Sequence, residues 1–156
     1  EASLQEQWRA VVQVQRDDGY IISTDPARLD VNSIHAYIAG ESYWARGRSR
    51  ALMETAIANS LCFGMYAPAT GAQVAFARII SDFAVFAYLC DLFVEPAHQG
   101  RGLGKWFVQT IVNAPELATV RRTLLVTRDA HTLYRTYAGF DTLPEPEMWM
   151  ARVVDQ

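Results

Sequence analysis

Leu92-Phe93-Val94-Glu95-Pro96-Ala97-His98-Gln99-Gly100-Arg101-Gly102-Leu103-Gly104-Lys105 runs from an apolar β-type segment, through a proline that halts it, into three glycines within five residues. A helical pattern starts at once: Leu103, Trp106, Phe107 and Ile111 recur at helix spacing, and Ala114-Pro115 closes the run. Strand, glycine turn and helix in this order make an anion cradle. Glycines let successive backbone N–H groups turn toward one point, and the helix N-terminus adds partial positive charge. Arg101 and Lys105 can add full charges at its rim. The spacing excludes two common phosphate motifs. A dinucleotide turn wants Gly-x-Gly-x-x-Gly on the first strand-helix unit, whereas these glycines sit two apart and late in the chain; a nucleotide P-loop wants Gly-Lys-Ser/Thr, and Gly104-Lys105 is followed by Trp106.

Upstream of the cradle the chain reads as three β-runs, over 61–67, 73–80 and 83–94, separated by Pro68-Ala69-Thr70-Gly71 and Ser81-Asp82. Connections this short predict antiparallel hairpins. Before them come two helices. Asp30 is placed to cap one with Val31, Ile34, Tyr37 and Ile38 on its apolar face and Gly40 at its end; Ser49 is placed to cap another with Leu52, Met53, Ala56 and Ile57 inward. Tyr20-Ile21-Ile22-Ser23-Thr24, closed by Asp25-Pro26, predicts the first main strand, and residues 4–16 fit helix or strand equally. Downstream, 122–127 predicts a strand, Asp129 a cap for a helix reaching Tyr137, and 149–153 a last strand. The sum is an α+β fold: a mixed, mostly antiparallel central sheet of about six to seven strands flanked by about four helices.

The bulk composition fits that fold. The chain has 156 residues, 51% of them hydrophobic and 20% charged, enough for one domain over 1–156 with a sizeable core. No internal repeat or low-complexity linker divides it. A net charge of -3 gives no long-range attraction for phosphate backbones or anionic lipid, so a small molecule is the expected partner rather than nucleic acid or membrane. Cys62 and Cys90 lie in apolar runs and read as buried free thiols rather than a disulfide framework. The sequence contains neither a spanning apolar stretch nor a basic-then-apolar leader, which makes the cytoplasm the expected compartment. No His/Cys cluster has metal-ligand spacing.

The segment Gln99-Gly100-Arg101-Gly102-Leu103-Gly104, following Leu92-Phe93-Val94, resembles the pyrophosphate motif Arg/Gln-x-x-Gly-x-Gly/Ala of the GNAT acetyltransferase family. The order of elements along most of the chain is similar to that fold as well. The resemblance implies acetyl-CoA as co-substrate and an amine as acceptor. It implies that backbone groups of Leu92, Phe93 and Val94, on a strand splayed from its neighbour, pair with the pantetheine arm, and that Gln99, Gly100, Arg101, Gly102, Leu103, Gly104 and Lys105 hold the pyrophosphate. A backbone N–H on that strand would polarise the thioester carbonyl. Such enzymes place an Asn at the start of the following helix and a Tyr in Tyr-x-x-x-Gly-Phe. Here Asp129 stands near the Asn position, and Tyr134 lies one residue further from Gly139-Phe140 than the pattern has it. Tyr134 is the choice for the acid that protonates the departing thiolate, Tyr137 is the alternative, and Arg135 occupies the strictly counted position.

Three residues could serve as a base: Asp91 on the strand before the cradle, which lies closest to the expected thioester, Glu54 and His35. An amine arriving neutral needs none. Tyr43, Trp44 and Arg46 lie in the connection between the two early helices, which borders the acceptor in this family, so they are candidates for substrate contact or for anchoring the loop. An acyl relay through Cys90 is disfavoured, because apolar surroundings raise a thiol pKa. A different class, a domain that binds acyl-CoA as a sensor without transfer, is the alternative function. Dimers are common in the resemblance class, and Trp149 and Met150 are where copies would pair.

Overall fold

The computed structural model describes residues 10–155. Among these residues a six-stranded sheet runs β1 (Gln13–Gln15), β2 (Ile21–Ser23), β3 (Leu61–Tyr66), β4 (Gln73–Ser81), β5 (Phe86–Val94) and β6 (Arg122–Leu124), and its spatial order is its chain order. The first five strands pair antiparallel; β5 and β6 pair parallel. Four α-helices accompany it: α1 (Val31–Gly40), α2 (Arg50–Ala58), α3 (Leu103–Val112) and α4 (His131–Ala138). This is the mixed, mostly antiparallel α+β sheet expected from the patterning. None of these helices is long and apolar enough to cross a membrane.

Two apolar layers sandwich the sheet, because side chains alternate faces along each strand. Cys62, Phe76 and Phe93 face α1 and α2, where Ile34, Ile38 and Met53 are fully enclosed. Phe63, Ala77 and Leu89 face α3, whose Leu103, Phe107, Val108 and Ile111 are enclosed on the other side. The caps follow the sequence. Asp30 Oδ1 accepts from Ser33 N at 3.1 Å and Ser49 Oγ from Leu52 N at 3.2 Å, each satisfying an orphan donor of the first turn.

Several expectations are corrected. Leu52 is 51% exposed, since α2 turns Met53 rather than Leu52 to the sheet. The connection before β5 is not a tight Ser81-Asp82 turn. Asp82 Oδ1 collects the N–H groups of Ala84, Val85 and Phe86, and β5 starts three residues later than its apolar run. α4 is not capped by Asp129. Its N-cap is Ala130, whose N–H goes to Thr127 Oγ1 at 3.0 Å. β6 stops at Leu124 rather than reaching Thr127. Residues 149–153 form no strand; Met150 and Val153 are 97% and 87% exposed, and Trp149 instead packs under the Arg122 guanidinium at 5.4 Å. Of the ambiguous segment 4–16, residues 4–9 lie outside the described residues and Gln13–Gln15 is strand.

Candidate active site

β5 organises the site through two departures from regular pairing. Its first three residues, Phe86 to Tyr88, pair with Arg122 to Leu124, and from Leu89 onward β5 has no ladder with β6. The two parallel strands therefore diverge, leaving one edge of β5 open. On its other edge the register with β4 jumps from Arg78↔Cys90 to Phe76↔Phe93, so two residues of β5, Asp91 and Leu92, oppose the single Ala77. Asp91 is the bulged residue, with φ 54. Left-handed backbone is tolerated by Asp far better than by a β-branched residue, and a bulge re-aims the side chains beside it.

A cleft of about 480 Å³ opens where the strands part. Asp91 and Leu92 line it from β5, Asp129 and Tyr134 from the α4 side, and Tyr43 and Trp44 from the α1–α2 connection. Phe93 is not in the cleft. It is buried on the α1 face, stacked on Tyr37 with ring centroids 3.9 Å apart. Arg46 is exposed and lies outside the lining, whereas Arg48, two residues on, belongs to it.

Asp91 is 5% exposed and saturated with donors. Trp44 Nε1 donates to Oδ1 at 2.9 Å; Arg48 Nη1 and Arg78 Nε each donate to Oδ2 at 2.6 Å. Burial alone would push its carboxyl up, but the hydrogen bond and charge of Arg78, then those of Arg48, outweigh burial and hold it below the ordinary value. A carboxylate so engaged is a poor proton acceptor, which removes the physical basis for Asp91 as base. The other two candidates are also occupied: Glu54 pairs with Arg50 on the surface, and His35 Nε2 bonds the Arg48 carbonyl at 2.8 Å.

The same connection reaches the opposite arm of the cleft. Tyr43 Oη accepts from Arg128 N at 2.8 Å, and the Arg128 guanidinium lies 3.7 Å from the Tyr43 ring centroid. Tyr43 and Trp44 meet edge to face at 5.2 Å, so the pair bridges the two splayed arms.

Tyr134 is 8% exposed, lines the cleft and also lines a groove of about 820 Å³ along the outer side of β6. Burial, with a smaller contribution from Tyr43, pushes its phenol up to about 12, so it carries its proton throughout the neutral range. Tyr137 lies elsewhere, with Lys105 Nζ 4.9 Å from its ring centroid, and Arg135 is exposed beside Asp141. Of the three positions that the register left open, Tyr134 lines the cleft and Arg135 and Tyr137 do not. Cys90 lines the cleft with a thiol that burial raises to about 11.

The cradle 99–105 sits beyond the open end of β5. Gly100 and Gly102 take φ 79 and 73, conformations that side chains with Cβ resist, and α3 begins at Leu103 with no side-chain cap. The N–H groups of Leu103, Gly104 and Lys105 are thus first-turn donors without an intrahelical acceptor. A Cβ placed on Gly100 or Gly104 would meet nothing within 4 Å, which leaves open space in front of them. Gln99 Nε2 donates to Val94 O at 3.1 Å, tying the loop to the strand.

Sequence reasoning missed Arg16, which braces the loop. Arg16 Nη1 donates to Arg101 O at 3.2 Å, its guanidinium sits 5.5 Å from the Trp106 ring centroid, and Asp18 holds it at 2.6 Å. Arg48, Arg78 and Arg128 were missed too. None belongs to a local motif.

Comparison with known proteins agrees with this architecture. The acetyltransferase (GNAT) domain profile matches residues 59–140. A protein of Gibberella zeae that carries an acetyltransferase name is 34% identical over 138 residues, covering 77% of this chain and 78% of its own. A crystal structure from Xanthomonas campestris pv. campestris, assigned to the GNAT family, superposes with a TM-score of 0.82 at 44% identity, covering 86% of this chain and 93% of that one. A Clostridium acetobutylicum protein crystallised with acetyl-CoA shares the fold, with a TM-score of 0.57 at 18% identity, over 86% of this chain and 95% of its own. This chain belongs to the GNAT family of acetyltransferases.

Proposed function

We propose that the protein transfers the acetyl group of acetyl-CoA to a primary amine of a small molecule or peptide, by direct attack within a ternary complex. The observation that carries this reading is the divergence of β5 from β6 beyond Tyr88, which leaves an open strand edge leading from the glycine cradle into a cleft that holds a protonated tyrosine. The residues fit the co-substrate. The unpaired edge of β5 at Leu92 and Val94 is available to the pantetheine arm, while Phe93, which pairs across to Phe76 of β4, supports them from the paired side. The loop from Gln99 through Gly100, Arg101, Gly102, Leu103 and Gly104 to Lys105 offers first-turn N–H groups and two cations to the pyrophosphate. Asp129, at the lip of the cleft, borders the path of the arm.

In this reading the amine enters from the side of Tyr43 and Trp44. Its nitrogen lone pair attacks the thioester carbonyl carbon, and an N–H of the bulged strand holds the developing oxyanion. The C–S bond then breaks, the electron pair leaves with sulfur, and the Tyr134 phenol supplies the proton that makes it a thiol. The proton lost by the amine goes to water, since the candidate bases are occupied. Asp91 acts as a positioning residue that fixes Trp44 and Arg48 against the bulge. The test is thiol release from acetyl-CoA with a panel of amines: amine-dependent release supports transfer, and tight CoA binding without release from any amine would replace transfer with ligand sensing.

A further inference from the structure

On the α1–α2 side of the cleft two guanidiniums share one carboxylate oxygen. Arg48 and Arg78 both bond Asp91 Oδ2, so the cluster carries one uncompensated positive charge. Arg78 is enclosed, and its Nη1 goes to Ser60 Oγ at 3.0 Å. Arg48 has a side chain 23% exposed and is the member of the cluster that remains accessible from the cleft. Its contacts with Asp91 and with the Met53 sulfur both use Nη1, and among the described residues no acceptor takes the rest of its fork. On the opposite arm Arg128 lies over Tyr43 with no carboxylate paired to it among the described residues. Asp129 is the second acid of the cleft and is exposed to solvent. Three arginines therefore face two aspartates around the space the acceptor would enter.

A surplus cation in a half-enclosed cavity is poorly solvated and gains most from an anion that can meet it with hydrogen bonds. Resting on the reading that this cleft receives the amine, we infer that the acceptor is an amine that also bears a carboxylate, bound by the free edge of the Arg48 guanidinium with Arg128 at the rim. The net charge of -3 points the other way, toward cationic amines. Local charge decides, because exposed charges further than about 10 Å away are screened at ordinary salt whereas those in the cleft are not.

The inference is tested by matched pairs: glycine against glycinamide and β-alanine against β-alaninamide, with spermidine as a cationic comparison. Each is titrated by calorimetry into the protein saturated with CoA, so that binding is read without turnover, and each is then assayed for thiol release corrected to its free-amine fraction. The carboxylates should bind and react about tenfold better than their amides, as expected for loss of one charge-assisted contact, with the difference mainly in KM. Arg48→Gln should erase that preference while leaving the acetyl-CoA Kd unchanged, and Arg48→Lys should keep part of it. Because Arg48→Gln also loosens Asp91, Arg128→Gln provides a second variant outside that cluster and should weaken the preference less. Equal binding of acid and amide, tighter binding of spermidine, or binding of none of them would overturn the inference. Preferential binding of carboxylates with no thiol release would retain the ligand class and overturn the transfer reaction instead.

Discussion

The cradle at the tip of β5 and the carboxylate cluster beside it are neighbours built by different means. The cradle is contiguous and is made of backbone: two left-handed glycines and the first turn of α3, within six residues of chain. The cluster is made of side chains gathered from the α1–α2 connection, β4 and β5, with hydrogen bonds that span 13, 43 and 47 residues. A backbone site survives change in every side chain except those that must be absent. A side-chain cluster depends on each member, since removing one leaves the others buried with unmatched charge.

The sharpest way to break this contrast is Asp91→Asn. Asn accepts left-handed backbone, so the change isolates charge from conformation. With Arg78 enclosed and Arg48 half-buried, the loss should be about 3 to 5 kcal/mol of stability by denaturant titration. The pH dependence carries the same signature. The folded pKa of Asp91 is held below its unfolded value, so its contribution is complete above about pH 4 and fades as pH falls through the lower folded value. The wild-type protein should lose stability in that acid window, and the Asn variant should show a flatter acid limb.

Gly102→Val attacks the cradle. A β-branched residue at φ 73 strains the backbone by about 1 to 2 kcal/mol and blocks the approach of a ligand to the loop. Acetyl-CoA affinity by calorimetry should fall by about 100-fold, about 2.7 kcal/mol, with far-UV circular dichroism unchanged. Tyr134→Phe separates binding from chemistry: acetyl-CoA should bind as before while kcat falls by about 100-fold, the low end of the range for a single proton donor. An unchanged rate would move the acid role to solvent. The smallest effect is expected from Arg16→Met, which removes the brace on Arg101 O but leaves the glycines in place. The KM for acetyl-CoA should rise by about threefold, as for loss of one partly exposed hydrogen bond.

The same contrast explains what could be read in advance. Caps at Asp30 and Ser49 and the start of α3 after the glycines rest on interactions within a few residues and are where the patterning placed them; the three-strand meander is present too, with β5 beginning three residues late. The errors occur where tertiary neighbours decide. Asp129 has cap chemistry, yet the chain turns through Thr127 and leaves Ala130 at the cap. Residues 149–153 read as a last strand, yet among the described residues no strand pairs with them and Trp149 rests under Arg122 instead. Arg46 and Arg48 are indistinguishable by composition. Only the fold of the α1–α2 connection, pinned by Gly47 N to Ala39 O at 2.8 Å, brings the second rather than the first to Asp91. Asp91 was legible as a titratable group on the splayed strand, but the partners that engage its carboxylate, Trp44, Arg48 and Arg78, were not.

In the proposed function one continuous open edge, from the divergence of β5 and β6 to the cradle, receives acetyl-CoA. Backbone amide chemical shifts recorded by NMR during titration with CoA test it most directly. The largest shifts should fall on Leu92, Phe93, Val94 and Gly100 through Lys105, with β1 and α2 unmoved; binding that leaves these amides in place and perturbs the outer groove along β6 instead would contradict it.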